Sequence, residues 1–292
     1  MNPLTTAVEN YLDLRRGLGF KLREYGECLH EFVSFLAERG AGHITCTLAV
    51  EYSCRRSYEK EVSWARRLGI IRGFAEYRSA IDPATEVPHQ RLLPFRSKRA
   101  RPYLYTQDEI ARLLRAARPM VSPHPLRQRT HYCLFGLLAV TGMRLGEALS
   151  LRPEDVDLNQ GIITVRRTKF DKNRLVPLHP STCAVLRAYA RLRDKTHARR
   201  GRVAAFFFAA IHGTRLSNTN VNLVFRTLSR QIGLRKPGGG PGPRLHDFRH
   251  RFAVESLLCW YRSGEDVTRR MPVLSTYLGH GNVSGTYWYL TN

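Results

Sequence analysis

Three observations predict a mainly α protein with a small β-hairpin or sheet, divided into two domains. Apolar residues recur at helical spacing over most of the 292 residues, and clear alternation is confined to one stretch, GIITVRRTKFDKNRLVPL. A proline-rich segment interrupts the pattern between residues 82 and 102. With 43% hydrophobic and 10% aromatic residues, the chain has enough apolar side chain for two proper cores.

From Leu4 to about Ala80 the pattern is helical throughout. Leu4, Val8, Tyr11 and Leu12 share one face, and Cys28, Leu29, Phe32, Val33, Phe35 and Leu36 share a second, closed by Gly40 and Gly42. A third helix fits Leu48 to Tyr58. A fourth fits Val62 to Tyr77, with Trp64, Leu68, Ile71 and Phe74 inward and Arg66, Arg67 and Arg72 outward. Residues 1–82 are therefore expected to form a small helical domain.

Residues 83–102 read as a linker. Pro83, Pro88, Pro94 and Pro102 block regular structure, while Arg96, Lys98, Arg99 and Arg101 suit a phosphate backbone, so a basic segment lying along DNA is expected. The plainer alternative is a solvated linker. Residues 103–292 form the second domain, which opens on a capping box from Thr106 to Glu109. A helix from Arg129 to Val140 follows, with Gly142 as its stop. The alternating stretch then predicts two strands around a turn near Asp171-Lys172-Asn173, and beyond Pro180 the chain reads mainly helical apart from Ala204 to Phe208 and Pro237 to Pro243.

Charge narrows the function. The formal net charge is +23, and it is uneven: residues 1–100 hold 16 Lys and Arg against 12 Asp and Glu, whereas residues 101–292 hold 31 against 12. Such an excess points to a polyanion, with nucleic acid ahead of an anionic membrane surface. No apolar run has the length of a membrane span, and the N-terminus lacks the pattern of an export signal, so a cytoplasmic, nucleoid-associated protein is expected. Six widely spaced cysteines without a C-x-x-C read as structural free thiols.

Four segments carry side chains suited to a phosphodiester under attack. In TGMRLGEALSL, Arg144 and Glu147 lie three apart, so the carboxylate can hold the guanidinium, and Gly142 and Gly146 allow a close approach. A weak surface ion pair is the alternative. In LHDFRHRFA, His246 and Arg249 are also three apart; a guanidinium can bind two non-bridging phosphate oxygens while an imidazole moves a proton. The same string holds a rival, since His246 and His250 have zinc-helix spacing, but Arg249 beside the metal and Asp247 in the place of a glutamate base count against it. Lys169, near the hairpin tip, could protonate a leaving 5′-oxygen, or be an ordinary solvated lysine. His280 follows Gly279 at a helix end, where it could simply cap the helix. Tyr289 lies nine residues further on, in a Tyr-Trp-Tyr cluster of a kind that is more often packing than nucleophile, so its case rests on the other four positions.

Together these strings resemble the tyrosine recombinases, the phage-integrase and Xer family, over essentially the whole chain. TGMRLGEAL is similar to the first arginine box, RRTKFDKNRLVPL to the hairpin with the catalytic lysine, LHDFRHRFA to the H-x-x-R box and LGHGNVSGTYWYL to the last box. The resemblance implies Arg144, Lys169, His246, Arg249, His280 and Tyr289 as catalytic residues, with Glu147 in support. All six positions are filled. It also implies a core-binding first domain, a tyrosine-recombinase catalytic domain, site-specific cutting and rejoining of double-stranded DNA through a 3′-phosphotyrosyl bond, four protomers on DNA, and neither metal, ATP nor other cofactor. The surroundings of Trp288-Tyr289 are most similar to those of transposon-encoded members.

Two alternatives of other classes accompany this reading: a type IB topoisomerase-like strand transferase, and a catalytically silent DNA-binding protein of the same fold. Tyr287 competes with Tyr289 as nucleophile. Only Leu290, Thr291 and Asn292 follow Tyr289, too few for a docking helix, so the expectation is either a shortened chain or assembly through other surfaces.

Overall fold

The computed structural model describes residues 3–20, 22–56, 58–93, 101–118, 124–166, 173–236, 242–280, 282 and 284–287. The chain divides into two units, Met1–Ala100 and Arg101–Asn292.

In the first unit, helices α1 (Pro3–Gly17), α2 (Arg23–Glu38), α3 (Cys46–Cys54) and α4 (Glu61–Ser79) enclose one apolar core. Leu4, Val8 and Leu12 from α1 meet Leu29, Phe32 and Leu36 from α2 and Ile71 and Phe74 from α4, all buried, as their spacing predicts. Tyr52 of α3 packs its ring 5.1 Å from that of Phe32 and donates its hydroxyl to the Cys28 carbonyl, so the core accepts a polar tip without leaving it unpaired. The third helix begins and ends earlier than its apolar pattern suggests. Thr45 accepts from the Leu48 backbone N–H and caps the helix there.

Arg67 corrects the expected outward face of α4. Its side chain is only 12% exposed and donates to the Ser53 carbonyl at the end of α3 and to Glu59, so it ties α3 to α4. The start of the proline-rich segment is also anchored: Glu86 exchanges hydrogen bonds with the backbone of Ile44 and Cys46, and Thr85 is buried.

The second unit is mainly helical with one three-stranded antiparallel sheet among the described residues. Its elements are α5 (Gln107–Ala117), α6 (Pro125–Thr141), α7 (Leu145–Ala148), a 3-10 turn at Pro153–Asp155, β1 (Val156–Asp157), β2 (Ile162–Val165), β3 (Arg174–Pro177), α8 (Pro180–Ala198), α9 (Asn218–Gln231), α10 (Asp247–Arg262), α11 (Val267–Leu278) and α12 (Ser284–Tyr287). The strands lie in the order β1-β2-β3, with Val165 opposite Arg174 and Ile163 opposite Val176.

Helix α6 is the centre of this unit. It packs against α5, α8 and α10, and Leu134, Phe135, Leu137 and Leu138 are buried along it. It starts four residues before the expected Arg129, because Pro125 suits a first helical position, where no backbone N–H is needed. It stops at Gly142, whose φ of 61° is left-handed; a Cβ there would sit 2.8 Å from the Phe252 ring. The capping box on α5 forms as expected, Thr106 accepting from the Glu109 N–H and Glu109 from the Thr106 N–H. All six cysteines are free, as expected; Cys133 and Cys183 are buried, Cys28, Cys46 and Cys54 are half-buried, and Cys259 is exposed. No described helix is long and apolar enough to cross a membrane.

Candidate active site

Two helix C-termini in the second unit converge on two arginines. A helix ends with backbone carbonyls that lack intrahelical partners and carry partial negative charge, so a guanidinium is a favourable neighbour there. Arg249, on the first turn of α10, donates from Nη1 to the Gly142 carbonyl (3.0 Å) at the end of α6 and from Nη2 to the Leu278 carbonyl at the end of α11. It is 1% exposed, the largest fully buried side chain among the described residues. Arg144 precedes α7 and donates from Nη2 to the Gly279 carbonyl (3.1 Å). The expected partnership with Glu147 is present: Arg144 Nη1 lies 2.9 Å from Glu147 Oε1, and the Arg144 backbone N–H donates to Oε2.

Glu147 has a second cation that the sequence reading missed. Arg174 donates from Nη1 to Oε1 (3.0 Å) and from Nη2 to Oε2 (2.7 Å), a fork on a fork, with its side chain only 8% exposed. Burial alone would raise the Glu147 pKa, but Arg174 and then Arg144 overcome it and hold the carboxylate below its ordinary value. The signal was in the strand: alternation puts Arg174 in phase with buried Val176 and Leu175, 60% exposed, out of phase.

His280 follows the left-handed Gly279 (φ 67°), its backbone N–H closing onto the Ser275 carbonyl. Its Nδ1 lies 2.7 Å from the hydroxyl of fully buried Thr286. Burial first, then Arg249, Arg144, His246 and Arg174, push its pKa down to about 4. His246 stands just before α10, its face to solvent. The protein around its ring and, next, Arg249 hold its pKa below the ordinary imidazole value. Arg144, His246, Arg249 and His280 thus act on one another in one place, and Arg174 joins them. His246 and His250 make an edge-to-face ring pair at 4.8 Å. Asp247 is buried and committed to Arg244, accepting from its backbone and its guanidinium (2.8 Å each), so it is a structural cap rather than a base.

Lys169 and Tyr289 lie outside the described residues, as do Arg96, Lys98 and Arg99. Tyr287 is 43% exposed. In the first unit Arg66 is exposed and paired with Glu24, and Arg72 approaches Glu76 at 3.9 Å; Arg101 of the second unit is exposed.

Residues 104–292 match the phage integrase family. The chain is 49% identical, over its whole length and 93% of the relative, to the protein y4rB of Sinorhizobium fredii (strain NBRC 101917 / NGR234), which is named as an integrase/recombinase. It is 30% identical to the tyrosine recombinase XerD of Mycobacterium tuberculosis (strain ATCC 25618 / H37Rv), across 99% of this chain and 94% of that one. Among solved structures, the Tn1549 transposon integrase in complex with transposon right end DNA is similar with a TM-score of 0.65 at 15% identity, covering 97% of this chain and 94% of that one. The XerH site-specific recombinase bound to palindromic difH substrate also gives 0.65, at 17% identity, covering 91% and 75%. The two structures share the fold. With the family match and the relatives that span the whole chain, the protein belongs to the phage integrase family of tyrosine recombinases.

Proposed function

We propose that this protein is a site-specific recombinase that cuts and rejoins double-stranded DNA through a 3′-phosphotyrosyl intermediate, without metal or nucleotide. The observation that carries this reading is the pair of arginines fixed by helix-end carbonyls, with two imidazoles beside them. Carbonyls hold a guanidinium without cancelling its charge, and the one carboxylate present, Glu147, is shared by Arg144 and Arg174, so positive potential remains for a phosphate whose charge grows during attack.

The Tyr289 hydroxyl attacks the scissile phosphorus; its oxygen–phosphorus bond forms as the bond to the 5′-oxygen breaks. His246 takes the phenol proton, and Lys169 supplies one to the departing 5′-oxygen. Arg144 and Arg249 bear on the non-bridging oxygens, and His280, neutral in the free protein, donates a hydrogen bond there. The bond energy is kept in the phosphotyrosine, so the reverse step rejoins DNA without ATP. Arg66, Arg67, Arg72, Arg96, Lys98, Arg99 and Arg101 were the expected DNA contacts; Arg67 drops out of that set because it is committed within its own unit. The partner is a duplex carrying specific recombination sites, held by four protomers in the cytoplasm at the nucleoid. The DNA-bound relatives support the duplex as partner.

A nicked suicide duplex run on a denaturing gel tests the reading. The wild-type chain should form a covalent adduct that survives chelator, and Tyr289→Phe should bind the duplex and form none. Adduct that persists in Tyr289→Phe and disappears in Tyr287→Phe assigns the nucleophile to Tyr287, and adduct that chelator abolishes overturns the metal-free mechanism.

A further inference from the structure

Arg174 has no part in the chemistry above, yet it touches the turn that carries Arg144 and Glu147 and the turn that precedes His280. It sits at the start of β3, opposite Val165 in the sheet register. Its two terminal nitrogens take both oxygens of Glu147, the carboxylate that also holds the backbone and side chain of Arg144. Its guanidinium lies so close to Gly279 that a Cβ there would meet Nη1 at 2.9 Å. Gly279 in turn supplies the carbonyl for Arg144 and precedes His280. With 8% of its side chain exposed, Arg174 is too enclosed to be a ligand for DNA itself.

We propose that Arg174 is a positioning residue for strand cleavage: by clamping Glu147 and abutting Gly279, it fixes Arg144 and the His280 turn in one arrangement. This rests on the reading of the site as the phosphate-binding centre of a recombinase. Both oxygens of Glu147 already accept from Arg144, Oε2 from its backbone N–H and Oε1 from its guanidinium, but that guanidinium is 38% exposed and water competes for the side-chain bond. Arg174 supplies the second constraint, and its planar fork does what a lysine cannot. It also keeps Glu147 ionised against burial. The charged groups facing Glu147 are Arg144 from its own turn and Arg174 from the strand; the end of α11 contributes a backbone carbonyl. Without Arg174, Glu147 would take up a proton at a higher pH and its grip on Arg144 would loosen as pH falls.

The test uses the full chain and its Arg174→Gln and Arg174→Lys variants, each alone and with Arg144→Ala. Single-turnover adduct formation on a nicked duplex is followed from acidic to neutral pH, and the Glu147 carboxyl is titrated by carbon NMR. Arg174→Gln should slow adduct formation by about 100-fold, the scale of a small misplacement of a catalytic group. Duplex binding should be retained, and the defect should narrow as pH rises. Arg174→Lys should keep the pH profile and recover part of the rate. In the Arg144→Ala background, Arg174→Gln should change the rate by no more than about twofold, because the two act as one unit. Glu147 should titrate at a higher pH in Arg174→Gln than in the wild type. Equal losses in both backgrounds, a wild-type rate in Arg174→Gln, or an unmoved Glu147 titration would overturn the inference. Should Arg174→Gln fail to fold, Arg174→Lys carries the same comparison. If the wild-type chain itself makes no adduct, the recombinase reading fails, and the Glu147 titration still decides whether Arg174 governs that carboxylate.

Discussion

The arginines that pair on the first unit and those at the candidate site of the second are held in different ways. In the first, Arg39 pairs with Glu51, Arg55 with Glu31, Arg66 with Glu24 and Arg67 with Glu59. At the candidate site of the second, Arg249 is held by two backbone carbonyls, and Arg144 by a third carbonyl plus a carboxylate that it shares with Arg174. A carboxylate cancels the charge it fixes. A helix-end carbonyl fixes a cation and leaves its charge in place, so the second arrangement yields a positive centre and the first a stable surface. The net charges of the two parts follow the same division.

The largest expected effect tests the positive centre directly. Arg144→Ala should slow adduct formation by about 100- to 1,000-fold, the loss seen when one positioned donor to a developing charge is removed. Single-turnover kinetics on a nicked duplex check this, and a loss confined to duplex binding would move Arg144 from the chemistry to the grip.

A smaller effect should follow from the carbonyls themselves. Gly142→Val puts a branched side chain at a left-handed φ and into the Phe252 ring, displacing the carbonyl that holds Arg249. Strain of this kind costs about 1–3 kcal/mol, and more once the ring must move. Thermal unfolding should show a lowered Tm together with slower cleavage; a lowered Tm with unchanged cleavage by the folded fraction would mean that Arg249 keeps its place without Gly142.

The smallest effect concerns pH. His280 and His250 are both pushed down to about 4, His280 by burial and then Arg249, His250 by burial and then His246. The unfolded chain takes up protons at these positions near pH 6.5, the folded chain only near pH 4, so the unfolded state binds more protons between those values. Stability should therefore be full above about pH 6.5 and fall as pH drops towards 4. Denaturant unfolding across that window checks the sign, and His280→Gln should flatten part of the slope. No difference from wild type would mean that His280 does not titrate in this window.

Much of this was legible in sequence. Helical spacing located the core faces of α1, α2 and α4, and Gly142 and Gly279 marked two helix ends because each ends a periodic run. The Arg144–Glu147 pair follows from a three-residue spacing. Arg174 was missed because its partner is 27 residues away, and sequence spacing reports only local pairs. Arg67 was misplaced for a related reason: helical phase gives the direction of a side chain's base, whereas a long guanidinium can curl back to a loop carbonyl. The anchoring of Arg249 by two helix ends depends on how α6, α10 and α11 pack together, which no local pattern states.

The comparison of the two units reduces to one measurement: single-turnover adduct formation by Arg249→Lys set beside Arg66→Lys, with duplex affinity determined for both. A lysine keeps the charge but cannot bridge two carbonyls with a planar fork. Arg249→Lys should lose about 100-fold in rate, the cost of misplacing a catalytic group, while Arg66→Lys stays at the wild-type rate. Equal rates for the two variants would contradict the claim that carbonyl-held cations form the working centre of this protein.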